Sequence, residues 1–333
     1  HYFILSFFDL STKVCFLHSL WKPLDCIPKC GTRHVVSIPV KILPMPLCNR
    51  AFDHNIIPRT APAKPTNNNI FGILTGSVFM RSVIIRVTAT APSQVNIGGT
   101  VQSTNTAISI GDSDTPIVLT ANTIISGNTS GNITLGGTIN GAYTLNLNTT
   151  GTTTLSGIIG ASTALTTLTT NTGGTTAINT TAITTTGTQT YNDNVTLGAN
   201  TTLSTTSNGN ISFGGTIAGA AKHLALNTGL TSGTISVTGA VGSAGNAVQI
   251  TISQSAGTTF SSTVNATTLT LSDTTGTITF TGALTATTLT TAVKAYNVAI
   301  NAGGTITNVV TFSNTGTVTL AGTTIFTAGV TAT

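Results

Sequence analysis

From residue 91 onward the chain alternates in short bursts, large apolar side chains two positions apart with Thr, Ser or Asn between them. In GTITF, starting at Gly276, Ile278 and Phe280 fall on one side of an extended strand and Thr277 and Thr279 on the other. Related phrases begin at Gly131 (GNITLGGTI), Gly151 (GTTTLSGII), Gly209 (GNISFGGTI), Gly233 (GTISVTGAV) and Gly316 (GTVTLAGTT). Looser copies begin at Gly257 and Gly304. A second alternating run precedes many copies, such as TLNLNTTG before Gly151, and a third short strand, such as 287–290, completes the unit. Period-2 alternation predicts strands, and Gly, Asn and Asp between the runs predict turns.

The steps 131 to 151, 209 to 233, 233 to 257 and 257 to 276 are 20, 24, 24 and 19 residues. A β unit of that size cannot bury its own apolar side, whereas stacked units share a continuous core. The predicted fold is therefore all-β: a parallel β-helix, or β-solenoid, of 19–24 residues per coil over residues 91–333. Eleven or twelve coils at about 4.8 Å each would give a rod on the order of 55 Å. Residues 131–148 echo residues 209–227, 78 positions on, which reads as a duplication of about four whole coils. Leu135, Leu155, Phe213, Val237, Phe280 and Leu320 occupy one slot of the phrase and are expected to form an inward core ladder. Thr152, Thr154, Thr277, Thr279, Thr305, Thr307, Thr317 and Thr319 occupy the alternate slot and are expected to form an outward ladder.

Composition separates this array from what precedes it. Residues 1–90 carry ten of the twelve basic residues, three Asp, all four Cys and eight of the ten prolines, for a net charge of about +7. Residues 91–333 carry Lys222 and Lys294 against Asp112, Asp114, Asp193 and Asp273, and no Arg or Glu occurs there. The basic overall balance thus belongs to an irregular N-terminal segment, and the array itself, with two Lys, has almost no cations with which to meet phosphates. Nucleic acid is not an expected partner. The break in composition also raises the expectation that residues 1–90 are a non-native piece. No uncharged apolar run of about 18 residues occurs, so no membrane span is expected, and a start at Met80 makes a poor signal peptide because Arg86 interrupts its apolar stretch.

Candidate chemistry is sparse. Asp112 and Asp114, in GDSDTP, are the one close acidic pair of the array and a thin calcium candidate, since calcium takes six or more oxygens. Catalysis on a β-helix needs paired carboxylates, or a carboxylate with Arg or Lys, on neighbouring coils. The array offers too few charges for that, and neither an enzyme nor a cofactor is expected. Cys15, Cys26, Cys30 and Cys48, with His18 and His34, leave zinc, a disulfide pair or no function open. Eight N-x-S/T sequons, at Asn128, Asn132, Asn148, Asn179, Asn194, Asn200, Asn210 and Asn265, are 8 of 22 Asn. Thr plus Ser make up 88 of the 243 residues, the same 36%, so chance accounts for them.

The phrase TQTYNDNVTLGANTTL, from Thr188 to Leu203, followed by GNISFGGTI, resembles the β-strand repeats of very large bacterial surface proteins, including filamentous-haemagglutinin-like adhesins. That resemblance implies an exported stalk or adhesin passenger, extracellular or on the bacterial surface. Its expected partners are a host or cell-surface ligand, such as a carbohydrate, and further repeats of the same chain. No secretion domain or C-terminal membrane barrel is recognisable alongside it. A binding role would need a lapse in regularity, and residues 158–194 and 239–248 are where the phrase lapses. Two alternatives remain: an ice-binding β-helix using the Thr ladder, and a polysaccharide-binding or processing β-helix.

Overall fold

A computed structural model describes residues 94–333 throughout, together with the backbone of five short upstream strands. The chain divides into two units, His1–Lys64 and Pro65–Thr333. In the first, Val14–Phe16 pairs antiparallel with Lys29–Gly31. The cysteine and histidine candidates of residues 1–90 lie outside the described side chains. The second unit is a succession of parallel ladders in which each strand pairs with the strand one coil before and one coil after it. Strands Asn69–Ile70 and Val78–Met80 pair in this way with Gln94–Ser103, and Val83–Ile85 with Ile108–Ile110, so the ladders begin upstream of residue 91.

Each coil contributes to three faces. The first face stacks eleven strands, from Gln94–Ser103 to Val318–Leu320. The second runs from Ile108–Ile110 through Ile133–Leu135, Thr152–Leu155, Thr175–Ile178 and Asn194–Leu197 to Ile217–Ala218. The third runs from Val95 through Ile117, Ile139 and Ile159, each paired with the next, and continues through Ala182–Thr185, Thr201–Thr205, His223–Asn227 and Val248–Gln254. In the later coils one long strand, such as Val264–Leu271 or Leu284–Thr291, serves both the second and third faces. The predicted β-solenoid is thus the observed fold. Among the described residues no helix is long and apolar enough to cross a membrane.

Register shows how the sequence builds the core. On the first face Val101, Ile125, Leu147, Thr170, Tyr191, Phe213, Val237, Phe260, Phe280, Ile300 and Leu320 stand one above the other, 20–24 residues apart. From Phe260 onward the step is a constant 20. Burial alternates with this pattern, as in Thr277–Phe280, where Ile278 and Phe280 are buried. Equal side chains in successive coils meet face to face: the rings of Phe260 and Phe280 lie 5.0 Å apart and 1° from parallel, and Tyr191 and Phe213 stack at 5.1 Å. Such aromatic pairs add to the burial of their own area.

The repeated phrase, however, does not keep to one face. Leu135 and Leu155 are partners on the second face, whereas Phe213 and Val237 are partners on the first. The predicted inward ladder is therefore two ladders, and Leu320, in the last first-face strand, is 45% exposed. The echo between residues 131–148 and 209–227 is shifted likewise. Ile133–Leu135 lies on the second face and its counterpart Ile211–Phe213 on the first, an offset of three coils and two faces instead of four whole coils. The physical reason is that alternation encodes inside and outside but not which side of a three-sided coil a strand occupies.

Close stacking also constrains the corners. A Cβ on Gly239 would overlap the carbonyl of Gly215 in the preceding coil, and one on Gly282 would overlap the backbone of Ser262.

Truncating Phe280 to Ala removes a fully buried ring and its stacking partner for Phe260. We expect a loss of about 3–5 kcal/mol. Hydrogen exchange should show that the opening is confined to the coils between residues 257 and 300, with protection in residues 117–155 unchanged.

Candidate functional site

The described structure places the outward threonines on different sides of the rod. Thr152 and Thr154 are on the second face, Thr277, Thr279, Thr317 and Thr319 on the first, and Thr305 and Thr307 follow the later second-face register. Within one side they do not run on unbroken: Ala299 stands between Thr279 and Thr319, and Ala177 follows Thr154. The predicted single Thr column is corrected to fragments on two faces, for the same reason that split the core ladder.

A different surface carries threonines in true register. On the third face Gln249, Thr268 and Thr288 form one outward column, and Thr251, Thr270 and Thr290 form the next. Leu269 and Leu289, between the two columns, point into the core. Neighbours in a column are about 4.8 Å apart and the columns about 6.6 Å apart, as strand geometry requires. Thr285 and Thr305 add a further in-register pair. Strands Val248–Gln254, Val264–Leu271 and Leu284–Thr291 contain no charged residue, so this side presents hydroxyl and methyl groups alone, with the amides of Asn265, Gln249 and Gln254 beside them. The signal for it was present in TTLTL and TTLTT at 267–271 and 287–291, but it lies outside the phrase that defines the repeat.

Asparagines do work that the sequence pattern did not reveal. Asn132, Asn194, Asn200 and Asn210 accept, through Oδ1, the backbone N–H of Thr152, Thr216, His223 and Thr234 respectively, each 20–24 residues on in the next coil. Asn122 does the same for Thr144 and Asn297 for Thr317. Each side chain satisfies a peptide group at a corner where no strand partner reaches it. Four of the eight sequons are therefore coil braces.

Asp112 and Asp114 sit in an exposed turn that Gly111 enters at φ +68°. Asp112 Oδ1 accepts the N–H of Asp114 (3.1 Å) and the hydroxyl of Thr115 (2.8 Å), and Asp114 accepts the Ser113 hydroxyl. The Asp112 carboxylate thus holds its own turn. Among the described residues there is no group of three or more His, Cys, Asp or Glu side chains placed to share a metal ion.

The two stretches where the phrase lapses behave differently. Residues 242–247 leave the coil as a loop, with Gly242 and Gly245 at positive φ and exposed Ser243, Ala244 and Asn246. Beside it, Ala221 at φ +57° donates its N–H to Ala247 O, joining the loop to the turn of the preceding coil. Next to this pair of turns, His223 Nε2 meets the Thr251 hydroxyl at 2.8 Å. Residues 165–194, by contrast, stay in register, after a short loop at 160–164 that bulges out between the bridges of Ile159 to Ile183 and Leu165 to Thr185. There the lapse is internal: Thr170, Thr176, Thr180, Thr185, Gln189 and Asp193 are all buried, as is Thr153 just before the stretch. Gln189 Nε2 donates to the carbonyls of Ile183 and Ser204, and its Oε1 accepts the Tyr191 hydroxyl. Burial pushes the Tyr191 phenol well above its ordinary value.

Comparison with protein-family models, curated proteins and solved structures finds no match for this chain.

Asn210 accepts both the N–H and the hydroxyl of Thr234. Asn210→Ala should cost about 1 kcal/mol and raise exchange at the Thr234 amide, while Asn210→Asp, which keeps the acceptor, should preserve that amide's protection.

Proposed function

We propose that residues 94–333 form a structural and adhesive rod of an exported bacterial surface protein. The observation that carries this reading is the combination of a continuous, in-register core with an exterior of Thr, Ser and Asn that is almost free of ions. The core makes the rod stiff along its axis, because every coil is bonded to two others. The exterior keeps it wetted without charge and offers rows of hydroxyls to a neutral, hydroxylated partner such as a surface carbohydrate. Further repeats of the chain stack by the same parallel pairing. The resemblance of residues 188–203 and the phrase after them to surface-protein repeats supports export and a place on the cell surface. The paired Thr columns of the third face are the best contact surface for adhesion, since they are flat, uncharged and regular.

A second reading is favoured by those same columns. A two-dimensional lattice of Thr hydroxyls and methyls is also suited to ordered water, as in an ice-binding surface; thermal hysteresis by the purified chain would move the assignment there.

The test is a quadruple replacement, Thr268→Val, Thr270→Val, Thr288→Val and Thr290→Val, in the full chain. Val keeps the β-branched shape, so melting should hardly change. Capture of the bead-bound chain by neutral glycans or by host cells should fall at least tenfold. Equal capture by the variant would place adhesion elsewhere, and no capture by either protein would leave the rod as a spacer.

A further inference from the structure

The polar interior between residues 149 and 205 contains one ionisable acid. Asp193 is 1% exposed, at the corner that joins the first face to the second. Its Oδ1 accepts the Gly174 N–H at 2.8 Å, and Oδ2 lies 3.3 Å from the Thr176 hydroxyl. Thr176 is in register with Thr153 one coil earlier, and the Thr153 hydroxyl is buried without a hydrogen-bond partner. Thr170 and Thr180, in the same coils, carry two more buried hydroxyls without partners. Among the described residues no cation compensates the carboxylate. The elements around it are 167–170, 175–178, 189–191, 194–197, 211–213 and 217–218, with 182–185 and 201–205 from the third face. Tyr191 is the one titratable group they contain besides Asp193 itself, and none of their residues is charged.

A carboxylate in that setting has two hydrogen-bond donors and no counter-ion. The neutral acid fits better, for its proton is donated to Thr176 Oγ1 and no charge is left in the buried site. Removal of the proton restores a buried, uncompensated charge, which low-dielectric surroundings penalise.

We propose that Asp193 is an acid-stiffening element of the rod: protonated, it completes the polar interior of residues 149–205, and ionised, it loosens those coils selectively. The direction of its titration agrees. Burial raises the Asp193 pKa above its ordinary value, outweighing the lowering by Gly174 and Thr176. A group whose folded-state pKa is raised is bound to its proton more tightly in the folded form. For an acid of this kind the stabilising effect is full below the unfolded value of 3.8 and is lost as pH rises through the folded value. The hydrophobic coils from residue 257 to 300, with Phe260, Ile278 and Phe280 inside, contain no buried acid and should not share the response.

The experiment is hydrogen exchange on the full chain between pH 3.5 and 8, corrected for intrinsic exchange, with Asp193→Asn beside the native protein. Native amides in residues 149–205 should lose protection by up to about tenfold per pH unit as Asp193 ionises, then level off. Amides in residues 257–300 should show no such fall. Asp193→Asn keeps an acceptor for Gly174 and should be flat across the range at the native acid-pH level. The native trend needs no variant to be read. A flat native profile, a fall common to both segments, or the same fall in Asp193→Asn would each overturn the proposal.

Discussion

Every coil of this rod must find partners for the peptide groups at its corners, where a strand has ended and the next has not begun. Within the faces, parallel pairing to the coils on either side takes care of the backbone. At the corners it does not, and buried or half-buried peptide groups left alone are costly. The chain meets that demand with short polar side chains. Asparagine Oδ1 atoms reach forward to N–H groups of the next coil, and inward threonine hydroxyls reach carbonyls of their own turn, as Thr205 does to Gly209 and Thr228 to Gly233. An ion would bring a large hydration shell to the same place, whereas Asn and Thr bring a single donor or acceptor at the right length. The scarcity of charge and the wealth of Thr and Asn in residues 91–333 are two sides of this one requirement.

The same requirement decides how much of the fold was legible. Alternation at GTITF or GNISF reports which residues face in, and Ile278, Phe280, Ile211 and Phe213 are all buried. Spacing reports the size of a coil, because only recurrence at about 20–24 residues returns the chain to its starting side. Neither reports the side. A strand of alternating Thr and Ile fits any of three faces equally, so the phrase at Gly131 lies on the second face and the phrase at Gly209 on the first. Ladders drawn by matching phrases therefore joined Leu135 to Phe213 although they belong to different columns. Register can be assigned only when lengths of all intervening corners are known, and these vary from turn to turn until the constant step of 20 after Phe260.

The apparent lapse at residues 158–194 is another consequence of Thr's dual nature. In the second-face column Ile133, Thr153, Thr176, Val195 and Ile217, two threonines stand among valine and isoleucine. Thr has the branched outline of Val, so the column continues without a gap, but each hydroxyl it brings inside needs a partner. Thr176 has Asp193, while Thr153 has none. Sequence alone reads such a stretch as a loss of pattern, since Thr in an inward slot looks like Thr in an outward one. The structure separates the two by burial, and thereby separates a hydrated surface from a polar interior built of the same residue.

This ambiguity shapes where function can reside. A surface that recognises something must differ from the background, and here the background is itself Thr, Ser and Asn. Isolated outward threonines at 154 or 279 are therefore poor candidates, because alanines interrupt their columns. What distinguishes the third face is correlation: Thr268 above Thr288 and Thr270 above Thr290 repeat at a fixed spacing in two directions, supported beneath by Leu269 and Leu289. A rigid core converts a composition that is common along the chain into an ordered array at one place. Rigidity is the condition for that array, since a coil slipped by one residue would bring Leu269 or Leu289 into an outward column. Stiffness and recognition in such a rod are then a single property, set by the register of its interior.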